Sequence, residues 1–265
     1  MDREQRERIM AAYRGWAGSY DRLLRRTYSR VERAITRRHL LERLPERPDA
    51  SLLDLGGGDA RQAIALLAAG RAGQAIVLDL SEDMLGLAAR RAARAGAHVS
   101  LLRGDAAAIP ILSRRFDLVL ALGGVLSHFP EPGPVLSGMR RVLRPGGRIV
   151  VSVDNLSVGV RTACREKDAA ALEGLLTRGV AAVFHRRPFP FPVRFFTPGE
   201  IRSAVEDAGF RIESMIGKPV FTWFAGPKEV LSGPEVPERV ELEWPFARDP
   251  RFWPYADQLE LVASL

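Results

Sequence analysis

The sequence predicts an α/β fold in which helices cover both faces of a mostly parallel sheet. From residue 51 onward, short apolar runs alternate with segments of helical periodicity, as expected when crossover helices join parallel strands. The first run, residues 52–55, is almost continuously apolar, which is typical of a strand buried on both faces. Gly70 and Gly96 stand just past the first two predicted helices, where a left-handed C-terminal cap is common.

Upstream of the sheet, residues 3–44 are rich in arginine and carry apolar side chains at helical spacing. We expect two amphipathic helices here, broken near Gly15 or Gly18. They would form a helical cap that consists of residues 1–48. Prolines separate these helices from the first strand.

The sheet core spans residues 49–155. Its predicted strands cover residues 51–55, 75–79, 98–102, 116–122 and 147–153. Its predicted helices cover residues 59–69, 82–95 and 134–143.

An insertion after the fifth strand interrupts this alternation over residues 156–196. It contains a helical stretch near 166–177 and then an aromatic and basic run. We expect the insertion and the N-terminal cap to close over a binding site, with aromatic side chains that line or support an apolar pocket. These side chains are Phe184, Phe189, Phe191, Phe195 and Phe196.

The alternation returns over residues 197–265, the C-terminal part of the sheet. Thr197 and Glu200 form a capping box, with proline at the first helical position, and open a helix that ends at Gly209. Predicted strands at 210–215 and 258–263 bring the sheet to seven strands. A chain of 265 residues of this type can stand as one domain.

Composition predicts a cytoplasmic protein without a membrane span. The chain holds one cysteine, Cys164, and its first residues lack the apolar segment of a secretion signal. Apolar runs are far shorter than the ~18 residues of a spanning helix. The net charge of +7 permits a polyanionic partner, but arginine supplies nearly all of the positive charge. We therefore interpret the positive charge as a contribution to solubility and a consequence of the base composition of the source genome.

A glycine loop, Gly56, Gly57 and Gly58, follows the first strand and precedes a helix. Glycines allow a sharp turn and a close approach of the backbone to a ligand. A dinucleotide fingerprint would need a third spaced glycine at position 61, where Arg61 stands, so the loop disfavours NAD.

This loop resembles the first motif of the class I methyltransferases that depend on S-adenosylmethionine (SAM), D/E-x-G-x-G-x-G. Asp54, Gly56 and Gly58 match the motif, and Ala60 replaces its last glycine. The resemblance implies a Rossmann-like sheet, SAM as cofactor and S-adenosylhomocysteine (SAH) as product.

Three further segments extend the resemblance. Asp79 ends the second strand and is placed to accept hydrogen bonds from ribose hydroxyls. Asp105 and Ala106 resemble an element that contacts adenine, and residues 141–148 resemble the R-V-L-x-P-G-G turn of the family. Together the four segments look most like the ubiquinone-biosynthesis type of small-molecule enzyme. The residues that the resemblance assigns to the cofactor are Tyr20, Asp54, Gly56, Gly57, Gly58, Asp79, Leu80, Met84, Gly104, Asp105, Ala106 and Leu122.

Methyl transfer from a sulfonium is an in-line displacement that needs alignment and, for some acceptors, a base. His128, which lies beyond the fourth strand near the expected acceptor position, is the candidate catalytic residue, because a near-neutral pKa suits a general base. His185 in the insertion is a weaker candidate.

Asp154 and Asn155 follow the fifth strand as an Asp-Asn pair, which resembles that of the metal-dependent, catechol-type members. Those enzymes need another acid at the end of the fourth strand, where this chain has Leu122, Gly123 and Gly124. We therefore predict no metal and keep Asp154 as a residue that faces the substrate.

Three functions stay open on the sequence. The favoured one is methylation of a small-molecule acceptor. An RNA methyltransferase is less favoured: arginines on the N-terminal helices and Arg186 and Arg187 suggest it, but no N-P-P-Y-like segment or RNA-binding module is found. A SAM-binding protein without transferase activity is the third. The sequence leaves the oligomeric state and the acceptor open.

Overall fold

The computed structural model describes residues 3–17, 27–182, 191–222 and 236–265. The helices in these ranges are α1 (Arg3–Ala17), α2 (Thr27–Arg43), α3 (Arg61–Ala68), α4 (Glu82–Ala95), α5 (Gly133–Val142), α6 (Leu156–Glu166), α7 (Ala169–Arg178), α8 (Pro198–Asp207) and α9 (Val236–Arg248). The strands are β1 (Ser51–Leu55), β2 (Gln74–Asp79), β3 (Val99–Arg103), β4 (Phe116–Ala121), β5 (Leu143–Asp154), β6 (Val180–Ala181), β7 (Val193–Arg194), β8 (Arg211–Lys218) and β9 (Gln258–Ser264). Short 3-10 turns cover Val125–His128 and Trp253–Tyr255.

The main sheet has seven strands in the order β3-β2-β1-β4-β5-β9-β8. The pairs among β1 to β5 are parallel, whereas β9 runs antiparallel to both β5 and β8. The predicted α/β class and the seven-stranded, mostly parallel sheet are confirmed. The order reverses between β1 and β4, and such a switch point opens a crevice at the carboxyl ends of the strands.

Two apolar clusters pack on opposite faces of the sheet. Leu53 and Val119 belong to one cluster, whereas Leu52 and Leu118 belong to the other. Successive side chains of a strand point to opposite faces, so a strand covered on both sides needs apolar residues at consecutive positions. This requirement explains the nearly continuous apolar run at residues 52–55.

The predicted helical stretch near 166–177 corresponds to α7, whereas α6, which ends where that stretch was expected to begin, was not predicted. α6 ends at Glu166, and Lys167 takes a left-handed conformation with φ of +55°. The Asp168 side chain then accepts a hydrogen bond from the Ala171 N–H at 2.9 Å and caps α7. A local cap has overridden the helical periodicity.

Other boundaries differ by a few residues, and α9 is a second helix that was not predicted. β5 begins at Leu143, four residues before its predicted start, and passes through the glycine turn. The capping box of Thr197 and Glu200 is confirmed. α9, which contains Pro245, lies in a tail for which the sequence predicted only the last strand.

The two N-terminal helices pack in different places. α1 shares an apolar cluster with α6, α7 and the β6–β7 hairpin of the insertion, through Ile9 and Ala12. α2 instead packs against β8 and α9 through Val31 and Ile35. The N-terminal segment therefore supports two sides of the molecule.

A buried ionic cluster ties α2 to β8 and β9. The Lys218 Nζ atom lies 2.6 Å from Glu260 Oε2 and 2.7 Å from Glu32 Oε1. His39 Nδ1 lies 2.8 Å from the other Glu260 oxygen. Burial alone would raise the pKa of Glu260, but Lys218 and His39 outweigh it and hold the pKa at about 2. Loss of one partner would leave an uncompensated buried charge.

Candidate functional site

A cavity at the carboxyl ends of β1 to β4 gathers most of the predicted site residues. Those that line it are Gly56, Gly58, Asp79, Leu80, Met84, Gly104, Asp105, Ala106, Leu122 and His128. Asp54 and Gly57 instead line a second cavity, which shares Gly56 and Gly58 with the first. Tyr20 and His185 lie outside the described residues.

The glycine loop is shaped by its contacts with β1 and β2. Gly56 has a φ of +59°, and its N–H donates to the Leu78 carbonyl at 2.7 Å. A Cβ atom on Gly57 would lie 2.7 Å from the Asp54 carboxyl carbon and 2.9 Å from Val77 Cγ1. Ala60 takes a φ of +61°, a conformation that favours glycine.

We expect Gly57→Ala to lower cofactor affinity at least tenfold and to destabilise the fold by about 1–3 kcal/mol, since the new methyl group displaces Asp54 or Val77. Gly70→Ala is the matched control, because a Cβ atom on Gly70, which has a positive φ, would meet no atom within 4 Å among the described residues. This control should lose about 1 kcal/mol and keep its affinity for SAH. Thermal unfolding and calorimetric titration measure both quantities, and unchanged affinity in Gly57→Ala contradicts a close approach of the loop to a ligand.

Asp79 links the end of β2 to the glycine loop and to α4. Its Oδ2 atom accepts from the Gly58 N–H at 2.9 Å, and its Oδ1 atom accepts from the Ser81 N–H at 2.8 Å. Burial raises the pKa of Asp79, and these backbone donors oppose the effect. The carboxylate is therefore held rigidly at the rim of the cavity.

Asp105 lies at the far end of the same cavity. Its Oδ1 atom accepts from the Ala107 N–H at 2.9 Å. Its Oδ2 atom lies 2.9 Å from the Arg6 Nε atom of α1. Arg6 thus neutralises an acid that the sequence assigned to the adenine contact.

Asp54 is buried in the second cavity, with 2% of its surface exposed. Its Oδ2 atom has no hydrogen-bond partner among the described residues. Burial, reinforced by the Asp79 and Asp59 charges, raises the pKa of Asp54 to about 7. A cationic group placed beside this oxygen would favour its ionised form.

α1, which belongs to the helical cap expected to close over the site, forms a wall of the first cavity. Ile9, Met10 and Tyr13 line the cavity opposite the glycine loop. The Gln5 side chain donates to the His128 carbonyl at 2.9 Å. The helical spacing of residues 9, 10 and 13 was visible in the sequence, but their tertiary partner was not.

His128 does not have the near-neutral pKa expected from the sequence. Burial lowers its pKa to about 4, so the imidazole is neutral above about pH 5. Its Nε2 atom lies 3.0 Å from the Tyr13 hydroxyl, and Phe191 packs edge-on against the ring. Its Nδ1 atom is buried and has no hydrogen-bond partner within the described part of the chain.

Residues 52–147 match a family model described as a methyltransferase domain. These residues form a class I methyltransferase domain. The match covers the strands and turns that line the first cavity. The predicted resemblance to this class is confirmed.

Curated relatives match a similar part of the chain. The demethylmenaquinone methyltransferase of Staphylococcus epidermidis is 31% identical over 147 residues, which are 55% of this chain and 60% of that protein. The protein of the same name from Bacillus subtilis is 39% identical over 103 residues, 38% of this chain and 44% of that one. The matched region therefore spans less than two thirds of either relative.

A solved structure supports the fold over most of the chain. The SAM-dependent methyltransferase of Mesorhizobium loti superposes with a TM-score of 0.61 at 20% identity and covers 86% of this chain and 96% of its own. At this identity the likeness concerns the fold. The likeness in fold extends beyond residues 52–147, because 86% of this chain is covered.

Proposed function

We propose that this protein binds SAM across the glycine loop and transfers its methyl group to a small-molecule acceptor. The observation that carries the proposal is the pair of cavities that meet at Gly56, Gly58, Leu122 and Gly123. One is bordered by apolar side chains and by the Asp79 and Asp105 carboxylates, which suits a nucleoside. The other contains a buried carboxylate oxygen with no hydrogen-bond partner among the described residues, which suits an ammonium group.

The residues present fit the cofactor. In the first cavity, we propose that Leu80 and Met84 pack against the adenine and that Asp79 accepts hydrogen bonds from the ribose hydroxyls. In the second, Asp54 supports the amino end of the methionine part, and the cradle at Gly57 leaves no room for a side chain. When bound, SAM supplies an electrophilic methyl group on a positively charged sulfur.

The relatives suggest a narrower acceptor class. Several are named demethylmenaquinone methyltransferases, so we propose a reduced quinone-type acceptor for this chain. We also propose a cytoplasmic location. No helix among the described residues is long and apolar enough to cross a membrane.

The RNA alternative gains no support from Arg38, one of the arginines that motivated it. Arg38 pairs with Glu42 at 3.1 Å and with Glu241 at 2.7 Å, so its charge is balanced within the protein. Arg186 and Arg187 lie outside the described residues. The proposed acceptor stays a small molecule.

We propose that His128 acts as a neutral imidazole that holds Tyr13 and α1 at the acceptor side of the cavity. His128→Ala should keep its SAH affinity within about threefold, because the residues that we propose contact the nucleoside, Asp79, Leu80 and Met84, lie at or after the end of β2 on another side of the lining. It should lose about 10- to 100-fold in turnover. Calorimetry with SAH and transfer of labelled methyl from SAM to reduced demethylmenaquinone test this expectation. Equal losses of SAH affinity and turnover would assign His128 to the cofactor site instead.

The proposed function itself is tested by titrating SAM and SAH into the folded protein. We expect saturable 1:1 binding of both ligands. A folded protein that binds neither ligand would end the proposal.

A further inference from the structure

The residues that line the two cavities indicate where the reacting methyl group of SAM lies. This inference rests on the proposed function. The sulfonium joins the nucleoside to the amino-acid part, so its methyl group lies near the residues that both cavities share. Two of these residues, Gly56 and Gly58, belong to the glycine loop that carries the cofactor. The other two, Leu122 and Gly123, follow β4, and we expect the acceptor to approach on that side.

Asp154 lies beside this end of β4. β4 and β5 are parallel with Ala121 opposite Val151, so the last residue of β5 lies next to the turn after β4. A Cβ atom on Gly124 would lie 3.0 Å from the Asp154 Oδ2 atom, and Gly124 has a φ of +81°. Residues 123 and 124 therefore place no side chain between the carboxylate and the shared part of the cavities.

The groups that face Asp154 come from several elements. Glu32 of α2 and Asp257, which precedes β9, interact electrostatically with Asp154. Tyr28 of α2 also interacts electrostatically with Asp154 and forms a hydrogen bond with Asp257. The Gln258 amide donates to Asp154 Oδ1 at 3.3 Å, and the Ser127 hydroxyl accepts from the Asp154 N–H at 2.9 Å.

The neighbouring acids have cationic partners of their own. Arg161 pairs with Asp257, and Lys218 lies 2.7 Å from Glu32. Asp154 instead receives side-chain hydrogen bonds from two neutral groups, the Gln258 amide and the Ser127 hydroxyl. Among the described residues Asp154 has no cationic partner, and its neighbour Gly124 adjoins Gly123, which lines both cavities.

We propose that Asp154 is the catalytic residue that contacts the acceptor and accepts the proton that the acceptor loses as it gains the methyl group. In this step the acceptor uses an electron pair to bond the methyl carbon. The carbon–sulfur bond breaks with its electron pair on sulfur, and the acceptor's proton passes to Asp154 and then to water. The acceptor class is a molecule with a weakly acidic hydroxyl group.

The chemistry of the carboxyl group agrees with this role. Burial, with the Asp257 and Glu32 charges, raises the pKa of Asp154 to about 6. Such a carboxylate is ionised at pH 8 and is more basic than an ordinary aspartate. His128 offers a weaker base, because burial lowers its pKa to about 4 and Tyr13 engages Nε2.

The test compares Asp154→Asn with the exposed-surface control Asp49→Asn by calorimetric titration of SAM and SAH at pH 8. The two ligands differ by one positive charge at sulfur. Removal of a nearby negative charge should weaken SAM by about tenfold, within the range of a partly screened charge pair, and leave SAH within about twofold. Methyl transfer to reduced demethylmenaquinone should fall about 100-fold in Asp154→Asn, a typical effect of a lost general base.

The failures of the two proposals are distinguishable. If Asp154→Asn keeps the wild-type ratio of SAM to SAH affinity, or keeps the wild-type rate, the assignment of Asp154 is overturned while SAM binding stands. An equal loss of both ligands also overturns it, because that result indicates a structural role. A wild-type protein that binds neither ligand contradicts the proposed function instead.

Discussion

Asp54→Asn should bind SAH about 30- to 100-fold more weakly than the wild type while making the ligand-free protein more stable above pH 7. The loss of affinity follows because an amide cannot supply the negative charge that we expect opposite the ammonium group, a charge-assisted contact worth about 2–3 kcal/mol. The gain in stability follows because the variant no longer buries an ionisable carboxyl group without a full set of partners among the described residues. Binding and stability thus move in opposite directions.

The pH dependence of this effect follows from the raised pKa of Asp54. Below about pH 4 the carboxyl is protonated in both the folded and the unfolded chain and has no effect on stability. Between pH 4 and 7 the unfolded chain loses the proton and the folded chain keeps it, so the free energy of unfolding falls, by up to about 4 kcal/mol in total. Above pH 7 the full penalty remains, and we expect Asp54→Asn to recover about 1–3 kcal/mol of it.

Asp59→Asn is the matched control for this prediction. Asp59 lies in the same loop, but its Oδ2 atom pairs with Arg61 at 2.8 Å and with Arg91 at 3.0 Å. Its replacement should therefore destabilise the protein. Urea unfolding at pH 5 and pH 8 measures both variants, and a destabilised Asp54→Asn at pH 8 would show that Asp54 has a stabilising partner in the free protein.

Asp79→Ala should reduce SAH affinity at least 100-fold. The substitution removes the expected ribose contact and also frees the Gly58 and Ser81 N–H groups that Asp79 now holds. Two charge-assisted hydrogen bonds at about 1.5–3 kcal/mol each account for a loss of this size.

Two further variants separate the roles of Asp79. Ser81→Ala removes the hydroxyl that caps α4, whose oxygen lies 3.4 Å from the Met84 backbone nitrogen. This variant should keep its SAH affinity within about threefold of the wild type. Asp79→Asn keeps one acceptor oxygen and should fall between the wild type and Asp79→Ala. Calorimetry gives all four affinities, and near wild-type binding by Asp79→Ala is incompatible with Asp79 at the ribose.

The local sequence was sufficient to predict the site residues that lie at or just after the ends of strands. Gly56, Asp79 and Asp105 each lie at or just after the end of a parallel strand, and the carboxyl ends of such strands meet at one edge of the sheet. The spacing of apolar runs therefore placed these residues together without knowledge of the tertiary contacts.

Features that depend on tertiary packing could not be predicted from the sequence. The approach of Tyr13 to His128 joins residues 115 positions apart, and the low pKa of His128 comes from the burial that this packing produces. Asp54, although it belongs to β1, lines the neighbouring cavity and not the first one. The break between α6 and α7 depends on a cap that competes with a continuous helical pattern.

A crystal structure at saturating SAH tests the central claim most directly. We predict that the adenosine lies between Asp79, Met84 and Asp105 and that the amino-acid end crosses the glycine loop toward Asp54. Density for SAH at another surface, or a ligand oriented with its amino-acid end away from Asp54, would contradict the account.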